Sequence, residues 1–259
     1  MRFLIFFLCL VSGTACCQAQ SLYVAAPALN PSGHTLEQRF PCPQGYKRPV
    51  VHSGSFGAYL RQLPMQPYGS VVHHFDGSLK RNTAAYCAVI RMDVGHRDLQ
   101  QCADAVMRLR GEYLFATRQW EQLGFLFGDG RMHYFRQESA DHSYAGFRKW
   151  MDRVFAYAGT RSLHRQLQPK PMAALQAGDV LIQTGNPYGH AVIVVDVAIH
   201  PQSGDKLFLL AQSYMPAQEI QVLNNPGNAA RSPWYSLQDL HTEIRTPEWV
   251  FTTADLRSF

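Results

Sequence analysis

Charge, cysteine and long apolar runs are all in short supply in this chain of 259 residues. Only 17% of the residues are charged, with 24 Lys and Arg against 19 Asp and Glu. That excess is mild and scattered, so the clustered basic face that a nucleic-acid partner requires is missing. Beyond residue 11 no segment is long and apolar enough to cross a bilayer as a helix, which takes about 20 residues. Zinc-type spacing of His and Cys is also lacking. His73 and His74 are neighbours on an expected strand and point to opposite faces, so they cannot chelate one ion together. Neither a metal nor a cofactor is expected, and no internal repeat or low-complexity tract divides the chain.

The first residues read as an export signal. Arg2 precedes nine apolar residues, Phe3 to Val11, and the small and polar residues that follow end in Cys17-Gln18-Ala19, which fits an A-x-A-like cleavage site. We expect cleavage after Ala19, a periplasmic or extracellular location, and a single α+β domain over residues 20–259. Lipid anchoring through Cys16 or Cys17 is the competing reading, although Gly13 or Thr14 stands where a lipoprotein signal normally has Leu or Val. Removing the signal leaves 23 basic and 19 acidic residues, since Arg2 is its only charged one. A net charge of +4 suits contact with weakly acidic polymers such as cell-wall material. The remaining cysteines, Cys42, Cys87 and Cys102, are odd in number, so in an oxidising compartment one stays a free thiol. Three pairings are open; Cys42 with Cys87 leaves Cys102 over.

Residues 20–52, rich in Pro, Gly and polar residues, read as a loop-rich lead-in. Ser55 can cap a short helix that Pro64 stops. Strand patterns follow at Val71 to Phe75 and Tyr86 to Met92. The clearest helix is expected from Asp98, in a capping box with Gln101, to about Thr117, with Leu99, Ala103, Val106, Leu109, Tyr113 and Leu114 on its buried side. A hairpin over 124–135 precedes a second amphipathic helix from Tyr144 towards Gly159. Asp179 to Gln183, His190 to Ile199 and Lys206 to Tyr214 read as an antiparallel meander, and Trp249 to Thr252 as a last strand. The aromatic residues Trp234 and Tyr235, with Tyr214, are either core or the lining of a glycan cleft, core being the commoner outcome.

Chemistry concentrates in residues 98–214. Cys102 falls in the first helical turn, where unpaired N–H groups and the helix dipole favour a thiolate. His190 opens an apolar strand behind the flexible run Gly185-Asn186-Pro187-Tyr188-Gly189, and can serve as proton carrier. If the strands 190–199 and 206–214 form a hairpin, the residue facing His190 lies near Tyr214, and alternation puts Gln212 on the same face. Gln212 is therefore the expected orienting residue, with Ser213 and Gln218 behind it. The N–H of Cys102 and the amide of Gln101 or Gln100 are candidate oxyanion donors, and Tyr214 a candidate substrate contact. Taken singly, each of these residues also has an ordinary structural use: a buried thiol, a hydrogen-bonded histidine, a satisfied glutamine.

The order Cys102 on a helix, then Leu175-Gln176-Ala177-Gly178-Asp179-Val180, then Gly189-His190-Ala191-Val192-Ile193-Val194, resembles the NlpC-type and CHAP branches of the papain-like cysteine peptidases and amidases. The resemblance implies an α+β papain-like core, with the cysteine helix packed on an antiparallel sheet, and hydrolysis of peptide or amide bonds, first of all in peptidoglycan. In chain order the blocks QQCADAVMRLR, GHAVIVVDVA and LLAQSYMPAQ more closely resemble a family of secreted bacterial proteins known only as a domain of unknown function. A second reading, from another class, is a catalytically silent module that holds a cell-wall or glycan ligand in the same cleft.

Overall fold

The computed structural model describes residues 29–239 and 242–259. The expected export signal and the lipid-anchor alternative lie outside the described residues. In chain order the elements are α1 (Leu36–Arg39), α2 (Phe56–Arg61), β1 (Tyr86–Val89), α3 (Cys102–Ala116), β2 (Gly124–Leu126), β3 (Met132–Tyr134), α4 (Phe135–Glu138), α5 (Tyr144–Tyr157) and α6 (Thr160–Gln166). The strands β4 (Gln168–Pro169), β5 (Val180–Gln183), β6 (His190–Ile199), β7 (Lys206–Gln212), β8 (Gln221–Leu223), β9 (Tyr235–Ser236), β10 (Glu243–Arg245), β11 (Val250–Thr252) and β12 (Leu256–Ser258) follow. The main sheet runs β1-β8-β7-β6-β5-β12-β4, with β9 paired to β7. All its pairings are antiparallel.

Strand alternation divides the core into two layers. Ala191, Ile193 and Val195 of β6, with Leu207, Leu209 and Ala211 of β7, face the helices and pack with Ala103, Val106, Met107 and Leu109 of α3 and Phe147, Trp150 and Met151 of α5. Val192, Val194, Phe208 and Leu210 face the other way, onto Leu181, Tyr235, Ile244 and Phe251, so the small β10–β11 hairpin roofs that side. The register shifts between Val194 and Asp196. Beyond this bulge the faces exchange, since Val197 joins the hairpin layer and Ala198 the helical one. The bulge thus turns Asp196 towards the helices, where Arg48 and Arg61 meet it.

The meander, the 124–135 hairpin, the Ser55-capped helix and α5 form as the pattern predicts. Ser55 Oγ accepts from the Ala58 N–H at 3.2 Å. The cysteine helix differs at its start: it begins at Cys102, not Asp98. Leu99 and Gln101 donate backwards to Arg97 and Leu99 carbonyls in a tight non-helical run. Asp98 is used instead as an anchor, accepting from Gln101 Nε2 at 2.9 Å and from the Ala217 N–H at 2.7 Å. The capping carboxylate is Asp104, whose Oδ2 accepts from the Gln101 N–H at 3.1 Å. The segment from Val71 to Phe75 forms no strand and makes two isolated bridges, His73 with Leu79 and His74 with Gln218. Trp234 and Tyr235 are core residues, 1% and 2% exposed, although Tyr235 also borders a cavity shared with Asn225, Asp239 and Arg245. All three described cysteines are free thiols, so the Cys42–Cys87 pairing does not form. Cys42 sits 3.5 Å from Arg48 Nη1, and Cys87 lies against the Val222 carbonyl.

Candidate active site

At the N-terminus of α3 a cavity of about 430 Å³ opens between the helix, the start of α6 and the β5–β6 loop. Cys102 lines it, together with Asp104, Thr160, Arg161, Tyr188 and Met215. The helix starts here because Asp104 closes the first turn, which leaves Cys102 as its first residue with its own N–H free of any acceptor among the described residues. Gly189 makes the close approach possible. A Cβ there would stand 2.2 Å from the Gln183 carbonyl oxygen and 2.9 Å from Thr160 Cγ2, so any side chain would push α6 away from the strand mouth.

The Cys102 sulfur lies against the N–H of Ala191 and the hydroxyl of Thr160, both of which favour the thiolate. Burial and the neighbouring Asp104 carboxyl act the other way and prevail, so the thiol is held above its ordinary value. Asp104 is itself pushed up strongly by burial, and its Oδ1 has no hydrogen-bond partner among the described residues. Asp104 and Thr160 had no signal in the sequence, since both act by proximity to the sulfur rather than by motif.

His190 projects from the opposite face of β6. Its ring packs 5.0 Å from Tyr214, 5.3 Å from Trp249 and 5.9 Å from Phe251, centroid to centroid. The sulfur and the imidazole therefore flank the Ala191 peptide at the end of one strand, and no hydrogen bond joins them. His190 Nε2 and Gln212 Oε1 are 2.9 Å apart. The register that places Ile193 opposite Ala211 puts His190 opposite Tyr214, with Gln212 one pleat along. The remaining residues expected at the site have other engagements. The Gln101 amide donates to Asp98, and Gln100, wholly buried, accepts from Arg108 Nη1 at 2.8 Å away from the cavity. Ser213 Oγ lies within hydrogen-bond distance of the Gln100 and Gln218 carbonyls, at 2.9 and 2.8 Å, and its single O–H donated to the Gln100 carbonyl ties the approach to α3 onto β7. The Gly178-Asp179 entry is structural: Asp179 Oδ2 receives the Gln176 N–H at 2.8 Å and Lys170 Nζ at 2.8 Å.

Burial drives the imidazole down to about 4 from its ordinary 6.5. On acidification the unfolded chain takes up this proton first. The stability that neutral His190 contributes is therefore complete above pH 6.5 and is lost as the pH falls to about 4. A gap of that size corresponds to about 3 kcal/mol. His190→Gln should remove this term: the stability difference between variant and wild type, from urea unfolding, should move by about 3 kcal/mol in the variant's favour between pH 7 and pH 4. Parallel pH profiles for the two proteins would show that the imidazole is not desolvated.

No curated protein and no solved structure matches this chain. A family model does, over residues 36–137 and 131–258, which together cover nearly all of the described chain. The protein belongs to the family described as Domain of unknown function (4846).

Proposed function

We propose that this protein is an exported thiol hydrolase of peptide or amide bonds, with a papain-like arrangement of a cysteine helix on an antiparallel sheet and cell-wall peptides as the first substrate class to try. The observation that carries the reading is the cavity at the strand mouth: a helix-first cysteine with its sulfur against the Ala191 N–H, one residue along β6 from a His190 that Gln212 holds on the other face of the strand. The mechanism requires the His190 ring to swing round the end of the strand to the sulfur, where it takes the proton from Cys102 as the sulfur attacks the carbonyl carbon. The oxyanion is received by the free N–H of Cys102. His190 then gives its proton to the leaving amine, and water, deprotonated by the same imidazole, releases the acyl group from the thioester. With the thiol held up and the imidazole held down, the resting pair is uncharged, so proton transfer accompanies attack. Arg161 and the exposed rings of Tyr157 and Tyr188 frame the cavity where a peptide would lie.

That uncharged resting pair also favours a second reading, in which the cavity binds a glycan or peptide without cutting it and the two tyrosines supply the contact. Iodoacetamide labelling with peptide mapping separates the two. With the thiol held up, a hydrolase should be alkylated at Cys102 with His190 taking the proton as the sulfur attacks, so labelling at pH 7 should be faster in wild type than in His190→Ala, which abolishes that acceleration. Labelling of Cys102 no faster than of Cys42 and Cys87, in both proteins, would leave the binding reading.

A further inference from the structure

Behind His190 the hydrogen bonds continue away from the cavity. Gln212 Nε2 donates to Glu248 Oε2 at 2.7 Å. The same oxygen accepts from Lys80 Nζ at 2.7 Å. Lys80 also donates to Gln218 Oε1 at 3.0 Å and lies 5.3 Å from the centre of the Tyr214 ring. Lys80 is buried and Glu248 half-buried, in the loop that carries Trp249 onto the imidazole. Three segments remote in sequence thus meet at one amide.

The donor and acceptor chemistry of this chain admits one assignment. An ammonium only donates, so the Glu248 oxygen beside it must accept. An ionised carboxylate carries no hydrogen, so the Gln212 group facing it is the NH2. The Gln212 carbonyl then faces His190, which must donate to it from Nε2. We infer that Glu248, held in place by Lys80, is a positioning residue: it fixes the Gln212 amide, and through it pins the His190 proton on Nε2 and leaves Nδ1 as the acceptor for the Cys102 proton. The assignment of Nδ1 to the thiol rests on the hydrolase reading; the tautomer lock does not.

The test is the tautomer itself, read from long-range 1H–15N correlations of histidine-labelled protein. Wild type should show His190 protonated at Nε2 alone, and a proton on Nδ1 would overturn the inference at once. In Glu248→Leu the Lys80 cation can draw the Gln212 carbonyl round, so the NH2 turns to His190 and the proton moves to Nδ1. An unchanged Nε2–H tautomer in the folded variant overturns the lock. Glu248→Gln keeps both the shape and, because Lys80 demands an oxygen at the shared position, the wild-type tautomer. Adding Lys80→Met to it removes that demand, and both tautomers should then appear. This pair keeps the proposal testable should Glu248→Leu not fold, since a single tautomer in both again overturns it.

Iodoacetamide reactivity at Cys102 supplies the second readout. It should fall about tenfold or more in Glu248→Leu, towards the rate of His190→Ala. A shifted tautomer with an unchanged rate removes the positioning role. A wild-type Cys102 with no acceleration at all, beside the tautomers expected above, defeats the hydrolase reading and leaves the lock standing.

Discussion

Asp196→Ala should lower the free energy of unfolding by about 3–5 kcal/mol, the cost of breaking a buried ion pair from one side. Asp196 is wholly buried, with Arg48 Nε at 2.7 Å on one oxygen and Arg61 Nε at 3.0 Å on the other. Its Oδ1 also accepts from the Val197 N–H at 2.9 Å. Burial raises its carboxyl above the ordinary range despite both arginines, so desolvation is the larger force on it. The site is costly to build and costlier to break, because truncation leaves two guanidinium groups with side chains only 14% and 9% exposed and no counter-charge. Arg48 Nη2 further holds the Phe40 carbonyl at 2.6 Å, and Arg61 Nη1 the Pro49 carbonyl at 3.1 Å. The loss should thus free the lead-in before α2 from the sheet. Urea unfolding measures it; a loss below about 1 kcal/mol would place the cluster among exposed pairs. Replacing all three residues by apolar ones of like volume should cost far less than Asp196→Ala alone.

Cys102→Ala carries the largest functional effect. Under the hydrolase reading, cleavage of cell-wall peptide fragments should fall by about a thousandfold or more, since the nucleophile has no substitute in the cavity. Binding of the same fragments should survive, because the sulfur contributes little to ground-state contact. Cleavage at the wild-type rate by Cys102→Ala would remove the thiol from the mechanism altogether. If wild type binds but does not cleave, and the variant binds equally, the cavity is a recognition site and the cysteine only part of its floor.

How much of this was legible in the sequence follows from the range of the forces involved. Strand alternation and a turn near Gln202 place Gln212 close to His190. The register next to the turn, Ile199 with Lys206, would set Met215 opposite His190, and it is the bulge between Val194 and Asp196 that shifts the pairing by one and brings Gln212 onto the His190 face. The start of α3 could not be worked out from spacing: a D-x-x-Q pattern predicts a cap at Asp98, but the Ala217 N–H, remote in sequence, claims that carboxylate. Asp104, two residues past the cysteine, takes over. The bulge before Asp196 left no periodic trace, and neither did the lysine–glutamate pair behind Gln212, which joins residues 168 positions apart. The seven-residue α6 was missed because so short a helix gains its stability from packing rather than from its own pattern.

The order of strands also bears on how the molecule assembles. The stretch from β5 to β8 can zip up from neighbouring pieces of chain. By contrast β1 finds its partner β8 only after more than 130 residues have intervened, as Tyr86 pairs with Leu223. At the far side β12 slots between β5 and β4, again long after both were made. Both flanks are therefore late arrivals by topology, and loop closure of this length slows the search. During biosynthesis the meander should emerge first with two bare edges, the moment at which this protein is most exposed to pairing with the wrong strand.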